Sequence, residues 1–503
     1  MRARTAALLY IVVGLSLLVS YGFHLWYPVA HFDADQAIIG IMGKDLATGR
    51  SLPWTFYGQK YMLAVEAWVA ALSFAVFGVS VASLKLPLLL LNMVTAFILV
   101  RLLRRDSGLK LWQAVLAVAP LIAPAIPLAT LSMATIGANP WPLFYLALMW
   151  TLRDRAVILG LLLAPAYFQR EFVLVGFLAL ICTDVFETRS FTLGDRWRSR
   201  LATLLIAFAS YHVLVGLGQF NAEFVGVGTP RPKLVSLTQL LENGKYLWGT
   251  LAPLLLGLST GPTSMIELPS AVSVGPSGWA ELNAVLVVAL TVMIGVTTLV
   301  ALVRGRAKIS GDRRLSLPLY LIIAACGQLA LYLLFIAKNE SVLARYILLL
   351  PAAVVGVIAL AILLLPERSK SQWAVAAVAL SLTGANLMQT ARLWHDYLQD
   401  PLHHEHSRLR LAAFLQANGY RYGWANYWDA YYISFVSDEA VILAGSDHSR
   451  VSRYHRLVSE HASEAVVLTA PGDCADPAAK VFEGVAVCPL AQYRGVVHEA
   501  VGR

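Results

Sequence analysis

Long apolar runs recur along most of this chain and set the first limit on its fold. A helix of roughly 17–25 apolar residues is long enough to cross a bilayer. About eleven such spans, two of them short, can be read at residues 6–29, 81–103, 111–128, 139–152, 156–168, 172–186, 201–218, 279–303, 315–337, 346–365 and 373–391. Because 58% of the 503 residues are hydrophobic and only 14% are charged, the composition predicts an α-helical polytopic membrane protein.

The net charge of +9 is spread over alternate loops and forms no single basic surface. The positive-inside rule places loops rich in Lys and Arg, and with them the N-terminus, in the cytoplasm. These loops contain Arg2 and Arg4, Arg101 to Lys110, Arg153 and Arg155, Arg189 to Arg200, Arg304 to Arg314, and Arg368 and Lys370. The pattern predicts a multi-pass protein of the bacterial inner (cytoplasmic) membrane that contacts membrane lipids and has no nucleic-acid partner.

Counting spans from a cytoplasmic N-terminus predicts two domains. Residues 1–392 form a transmembrane domain, whose outer side carries a first outer loop at 30–80 and a long Gly- and Pro-rich loop at 218–278. Residues 393–503 form a small periplasmic α/β domain, called the C-terminal domain below. In it, short apolar stretches at 421–425, 440–445, 464–470 and 484–488 alternate with helical patterns at 407–419 and 453–462.

Two of the four cysteines, Cys474 and Cys488, lie close together in the C-terminal domain. An oxidising compartment such as a periplasm permits a disulfide. We therefore expect either a disulfide between these two residues or a pair of free thiols.

The first outer loop contains two predicted interfacial helices. Apolar residues spaced by one, three and four positions predict an amphipathic helix from Asp35 to about Thr48, ended by Gly49. A second, almost entirely apolar helix is predicted from Met62 to Phe77. Two such helices would form a platform at the membrane surface on which a lipid head group could rest.

Two carboxylates, Asp33 and Asp35, stand at the start of this platform in the stretch HFDADQ. One interpretation is structural, with Asp35 as the N-cap of the following helix. The other is catalytic, because attack of an acceptor hydroxyl on a sugar phosphate requires a base to remove the hydroxyl proton. A phosphate leaves readily as an anion, so one carboxylate and a cationic phosphate site would be enough.

The segment DQAIIGIMGKDLATGRSLPWTFYGQKYMLAVEAWVAALSFAVFGVS (35–80) resembles the first outer loop of polyprenyl-phosphate-sugar-dependent membrane glycosyltransferases of the type C (GT-C) fold. This is the superfamily of protein O-mannosyltransferases and lipid A aminoarabinose transferases, which has an Asp-Glu pair after its first span. Here the pair is Asp35-Gln36, so the first acid matches and the second is replaced. SVLARYILLLPAA (341–353) and YRYGWANYWDAYYISFVSDEAVILAG (420–445) are similar to later parts of the same family.

The resemblance implies an inverting glycosyltransferase that moves a hexose or pentose from a polyprenyl-phosphate-linked donor to a glycan, lipid or protein acceptor on the periplasmic side. Asp35 would be the general base, with Asp33 as its helper or as a helix cap. Two other classes stay open: a transporter or flippase for a lipid-linked glycan, and a membrane protein that binds glycan without catalysis.

Three basic residues are candidates for binding the donor phosphate. Lys60 lies at the start of the second interfacial helix, Arg170 lies between two short apolar runs, and Arg345 lies at the outer end of a late span. A guanidinium suits a phosphate because it donates two parallel hydrogen bonds. The alternatives are snorkelling to the interface for Lys60 and topological anchoring for Arg345. The alternative for Arg170 is an ion pair with its neighbour Glu171.

Glu66 and Glu171 are candidates for orienting the acceptor or the base, although Glu66 could instead pair with Lys60. A divalent cation is a further alternative, because Asp33-Ala34-Asp35 has the Asp-x-Asp form by which many glycosyltransferases hold a metal. The His-rich stretch HDYLQDPLHHEH (395–406) is interpreted as a polar juxtamembrane segment, since its spacing is irregular for zinc.

Overall fold

The structure is a computed structural model that describes residues 2–27, 31–59, 62–135, 139–189, 195–218, 233–258, 285–286, 288–293, 295–296, 312–336, 344–365, 370–399, 407–476 and 479–495. Its helices, in chain order, are α1 (Arg2–Trp26), α2 (Ala34–Ala47), α3 (Val65–Phe77), α4 (Val81–Asp106), α5 (Leu111–Ile122), α6 (Ile126–Ser132), α7 (Trp141–Thr151), α8 (Ala156–Gln169), α9 (Leu174–Thr188), α10 (Asp195–Gly218), α11 (Leu237–Tyr246), α12 (Ala252–Leu255), α13 (Ser316–Phe335), α14 (Leu350–Leu364), α15 (Lys370–Gln399), α16 (Ser407–Ala417), α17 (Tyr427–Val436) and α18 (Ser452–Glu460).

Six helices in the described ranges are long and apolar enough to cross a membrane, namely α1, α4, α10, α13, α14 and α15. The pair α5 and α6 passes the same test together but is bent by 80°. The predicted polytopic helical fold is thus confirmed, whereas the total of eleven spans is not. Helices α7 and α8 have 11 and 14 residues and are separate, and most of the span predicted at 279–303 lies outside the described residues.

Close backbone contacts hold the crossing helices together. A Cβ atom added at Gly160 of α8 would lie 2.7 Å from the carbonyl oxygen of Thr203 in α10. One added at Gly356 of α14 would lie 2.6 Å from the carbonyl oxygen of Pro318 in α13. Helices in lipid gain little from hydrophobic burial against each other, so this kind of close packing is a main source of their association.

Helix α2 is buried on nearly all sides, which goes further than an amphipathic surface helix requires. It packs between α3 and α17. A Cβ at Gly40 would come within 2.4 Å of the Phe435 ring of α17, and one at Gly43 within 3.1 Å of Ala70 and Phe74 of α3. The two glycines therefore let both neighbours approach the α2 backbone. As a result, α17 of the C-terminal domain packs directly on the first outer loop.

Helix α3 begins at Val65, three residues later than predicted, because the preceding residues form a β-bridge between Thr55 and Leu63. Its Leu72, Val76 and Phe77 side chains are exposed. An apolar face without protein cover is what an interfacial helix presents to lipid.

The C-terminal domain contains one five-stranded sheet. Its strands are β1 (Tyr422–Ala425), β2 (Ile442–Gly445), β3 (Val466–Thr469), β4 (Lys480–Phe482) and β5 (Val485–Pro489), in the order β2-β1-β3-β5-β4. Strands β2, β1 and β3 run parallel, and β5 and β4 complete the sheet in antiparallel fashion. The four predicted strands and the helices α16 and α18 are all present, while the short and mostly exposed β4 was not predicted.

Parallel strands β1 and β2 end at the edge of the sheet that carries the candidate site. Strand β1 leads through Asn426 into α17, and β2 leads into the loop 446–451. In parallel α/β sheets, binding residues commonly follow the carboxyl ends of strands. Here both of these segments lie against the first outer loop.

Candidate active site

Asp33 is the N-cap of α2. Its side-chain oxygen Oδ1 accepts a hydrogen bond of 2.9 Å from the backbone N–H of Gln36. The alternative interpretation of Asp35 as the cap is therefore wrong, because the helix begins one residue earlier than predicted, at Ala34. Burial and the charge of Asp35 raise the pKa of Asp33 to about 6, against the opposing effect of the Gln36 hydrogen bonds.

Asp35 lies in the first turn of α2 and does not cap the helix. The phenol of Tyr427, at the start of α17, donates a hydrogen bond to Oδ1 of Asp35. No protein hydrogen bond to the second oxygen, Oδ2, is found within the described ranges. Asp35 is thus a partly buried carboxylate with one oxygen held and one open.

Gln36 explains why an amide can stand where the resembling family has a second acid. Its Nε2 donates to the carbonyl oxygen of His31 at 3.0 Å, and its Oε1 accepts from the backbone N–H of Thr135 at 3.3 Å. A carboxylate could not make the first of these contacts because it has no hydrogen to donate. Gln36 consequently ties the start of α2 to the chain segment that follows α6.

Lys85 was not identified from the sequence. It is 1% exposed, lies one turn inside α4, and donates to the carbonyl oxygen of His31 at 3.3 Å. Its ammonium group also lies 5.9 Å from the centre of the Phe32 ring and interacts electrostatically with Asp33. The signal that could have revealed it is a lone lysine within an apolar run, which is costly unless the charge has a partner.

Arg170, Arg345 and Glu66 form a second group. Glu66 is 2% exposed, and its Oε2 accepts from Nε2 of Gln169 at 3.1 Å. Arg170 donates to Oδ1 of Asn139 at 3.0 Å. The charges of Arg345 and Glu66 both act on Arg170, so the structure brings these three predicted residues together.

Two arginines placed side by side repel each other unless an anion lies between them. The Nε atoms of Arg170 and Arg345 are both buried and have no hydrogen-bond partner within the described ranges. Buried guanidinium donors without acceptors are costly. The arrangement is therefore suited to an anionic group.

The two groups of residues are connected by one short stretch of chain. Thr135 contacts Gln36 next to Asp35, and Asn139, four residues further on, contacts Arg170. Glu171 is exposed and forms no close ion pair with Arg170 in the described residues, although its charge acts on Arg170. Lys60 and the histidines at 403, 404 and 406 lie outside the described residues.

A network of buried charges fastens the C-terminal domain to α2. Lys44 and Arg50 both contact Oε2 of Glu439, at 2.8 and 2.7 Å. Arg453 donates to Oε1 of Glu439 at 2.7 Å and also to the fully buried carboxylate of Asp45. Burial alone would raise the pKa of Glu439, but the hydrogen bonds from Lys44 and Arg50 and the charge of Arg453 lower it to about 2.

The loop after β2 adds a further cation near Asp35. Arg450 donates from Nη1 to the carbonyl oxygen of Gly58 at 3.1 Å, and its guanidinium lies 5.8 Å from the centre of the Phe56 ring. Gly58 has φ +77°, and a Cβ there would lie 2.7 Å from Cδ of Arg450. A side chain at position 58 would therefore displace Arg450.

The residues present do not form a metal site around Asp33 and Asp35. Asp33 is used as a cap and Asp35 as an acceptor for Tyr427. No group of three or more His, Cys, Asp or Glu side chains in the described ranges could hold a metal ion. Elsewhere in the C-terminal domain, Cys474 and Cys488 are joined by a disulfide, with their Cα atoms 5.6 Å apart.

The role of Asp33 as a cap can be tested by thermal unfolding in detergent. Asparagine caps a helix about as well as aspartate, whereas alanine costs about 1 kcal/mol. The folded-state pKa of Asp33 is raised, so the cost of its charge is absent below about pH 3.8 and complete above about pH 6. We expect Asp33→Asn to be more stable than wild type at pH 7.5, the advantage to shrink at pH 4.5, and Asp33→Ala to be less stable than Asp33→Asn at both. Equal Tm values for the two variants would contradict capping.

Comparison with known proteins gives a likeness of fold. No protein-family model matches the sequence, and no curated protein matches it. The chain is similar to the crystal structure of ArnT from Cupriavidus metallidurans in the apo state, with a TM-score of 0.44 and 12% identity over 94% of each chain. It is similar to ArnT from the same organism bound to undecaprenyl phosphate, with a TM-score of 0.43 and 12% identity over 93% of each chain. Both TM-scores are below 0.5, and the matches assign neither a family nor residue roles.

Proposed function

We propose that this protein is an integral-membrane glycosyltransferase that moves a sugar from a polyprenyl-phosphate-linked donor to an acceptor hydroxyl, with inversion. The acceptor is a hydroxyl of a glycan, lipid or protein on the periplasmic side. In this proposal Asp35 is the general base, Arg170 and Arg345 bind the donor phosphate, and Glu66 orients the polar groups between them. Lys60 is proposed to reach the same phosphate from the first outer loop.

The reaction requires one proton transfer and one displacement. Oδ2 of Asp35 removes the proton of the acceptor hydroxyl, and the hydroxyl oxygen attacks the anomeric carbon of the donor sugar. The bond between that carbon and the phosphate oxygen breaks, and its electron pair leaves with the polyprenyl phosphate. Attack from the face opposite the phosphate inverts the anomeric centre.

The strongest support is that Asp33, Asp35 and the two arginines are available for different tasks. Asp33 is occupied by the cap, while Asp35 keeps an oxygen open. Arg170 and Arg345 keep buried N–H donors without acceptors, close to the start of the span Ala344–Leu364. A lipid-borne phosphate carries both the apolar tail and the charge that such a place accommodates.

The proposed function is tested with the purified full-length chain in detergent. It is supplied with undecaprenyl phosphate carrying different hexoses and pentoses, together with an extract of envelope glycans and lipids as acceptor. We expect mass spectrometry to show release of undecaprenyl phosphate and a sugar gained by an acceptor. Translocation of a lipid-linked sugar in vesicles without consumption in detergent would instead establish the transporter alternative.

Removal of either Arg170 or Arg345 is expected to weaken binding of the lipid phosphate. A hydrogen bond to a charged group contributes about 1.5–3 kcal/mol, so Arg345→Gln and Arg170→Gln should each raise the Kd for undecaprenyl phosphate by ~10–100-fold. The measurement is microscale thermophoresis in detergent, with Arg101→Gln as the control, because Arg101 is exposed on α4. Unchanged affinity in both variants would show that the phosphate binds elsewhere.

A further inference from the structure

We propose that Tyr427 is a positioning residue for Asp35, and that the C-terminal domain therefore supplies part of the active site. This inference rests on the proposed function, in which Asp35 is the base. It assigns a role to a residue that lies 392 positions away in the sequence. The NYWDAY segment that contains it is identifiable in the sequence, but the pattern alone points to no partner for its first tyrosine.

Tyr427 is fixed at both its backbone and its hydroxyl. Its backbone N–H donates to Oδ1 of Asp447 at 2.8 Å, and Asn426 caps the helix by accepting from the N–H of Asp429 at 3.1 Å. Its ring contacts the rings of Tyr431 and His448, with centroid distances of 5.2 and 5.9 Å. The phenol consequently reaches Asp35 from a rigid helix start, and this geometry suits positioning.

A carboxylate can rotate about its Cβ–Cγ bond, so the direction of its free oxygen is not defined by the backbone alone. The hydrogen bond from Tyr427 to Oδ1 removes that freedom and leaves Oδ2 directed away from the phenol. Proton removal by a general base depends on such alignment with the attacking hydroxyl.

Several other charged or titratable groups surround this pair. They are Asp33 on α2, Lys85 on α4 through its interaction with Asp33, and Asp447, His448 and Arg450 on the loop after β2. The Arg450 charge acts on the Tyr427 phenol, and its backbone N–H donates to the hydroxyl of Tyr431 at 2.6 Å. The Arg450 side chain also interacts with the Tyr427 hydroxyl by a hydrogen bond, so Tyr427→Phe removes this contact together with the one to Asp35.

Docking of the C-terminal domain does not depend on the Tyr427 hydroxyl. Phe435 packs on Gly40, and Glu439 binds Lys44, Arg50 and Arg453 at the other end of α2. We therefore expect Tyr427→Phe to leave the domain in place. Hydrogen–deuterium exchange of residues 34–47 reports directly on this, because these amides are covered by α17 only while the domain is docked.

The test compares wild type, Tyr427→Phe and the control Tyr422→Phe in the detergent assay with undecaprenyl-phosphate sugars. Tyr422 lies on β1 with its ring stacked on His461 at 4.0 Å, away from Asp35. We expect Tyr427→Phe to lower kcat by ~10–100-fold with little change in the KM for donor. Tyr422→Phe should match wild type in both kcat and KM.

The possible results separate the two proposals. If wild type consumes no donor, the proposed function fails and this inference falls with it. If wild type is active and Tyr427→Phe has the same kcat, only the inference is overturned. Loss of exchange protection over 34–47 in Tyr427→Phe, with kcat and KM for donor changed together, would show a purely structural role and would also overturn it.

Discussion

Asp35→Asn is expected to lower kcat for sugar transfer by ~10²–10⁴-fold, the range in which general bases contribute. Asparagine keeps the size of the side chain and can still accept the Tyr427 hydrogen bond. It cannot take a proton from the acceptor hydroxyl, so the loss should appear in kcat while the affinity for undecaprenyl phosphate is retained. The measurement is donor consumption by mass spectrometry alongside lipid-phosphate binding.

Two further variants sharpen the Asp35 experiment. Asp396→Asn changes an exposed carboxylate on α15 and should behave as wild type. Asp33→Asn preserves the cap and should retain far more activity than Asp35→Asn. A wild-type rate in Asp35→Asn would remove Asp35 from the mechanism, and a selective loss in Asp33→Asn would move the base to Asp33.

Glu439→Ala is expected to destabilise docking of the C-terminal domain by about 1.5–3 kcal/mol, because it removes a charged acceptor of hydrogen bonds. Lys44, Arg50 and Arg453 all contact this one carboxylate, although the Arg50 side chain is 46% exposed. Other acids limit the loss, since Lys44 also contacts Asp438 at 2.5 Å and Arg453 also contacts Asp45. Thermal unfolding in detergent and hydrogen–deuterium exchange of residues 34–47 measure the effect.

The same ion cluster should make docking of the C-terminal domain less stable at acid pH. The pKa of Glu439 is lowered to about 2 in the folded state, from an ordinary value of 4.5. A group with a lowered pKa stabilises the fold fully above its unfolded value and loses that contribution as pH falls through the folded one. Docking should therefore weaken between about pH 4.5 and pH 2 in wild type, and Glu439→Ala should lack this dependence.

A matched surface pair provides the control for Glu439. Glu483 binds Arg410 at 2.7 Å in the same domain, but both side chains are more than a third exposed. Exposed ion pairs contribute little to stability, so Glu483→Ala should change the Tm little. Equal losses in Glu439→Ala and Glu483→Ala would show that the cluster on α2 does not hold the domain.

The sequence carries enough information to predict individual helices and strands, but too little to predict the contacts between them. Apolar periodicity places α2 within one residue of its start, and strand-sized apolar runs predict four of the five strands. The burial of α2 could not be predicted, because Gly40 and Gly43 carry no hydrophobic signal and their role depends on Phe435 and Phe74. Apolar runs alone do not define the number of crossings, because some of them form short helices such as α7 and α8.

The candidate site shows the same division. Asp35, Arg170, Arg345 and Glu66 are visible in the sequence as charges in or beside apolar segments, where burial is costly. Tyr427 and Arg450 are not, since a tyrosine or an arginine in a water-facing domain is ordinary. Their positions follow from tertiary contacts across several hundred residues, and no local pattern encodes such contacts.

The docking of α17 on α2 also has a consequence for how this protein is made. Asp35 and Lys44 leave the ribosome several hundred residues before Tyr427 and Glu439, and domains generally fold in the order of synthesis. Until the C-terminal domain folds, the α17-facing side of α2 is uncovered and Lys44 lacks its partner. A chain cut short before residue 427 would thus carry the carboxylate without the phenol that orients it, so the site is completed only after translation has passed α17.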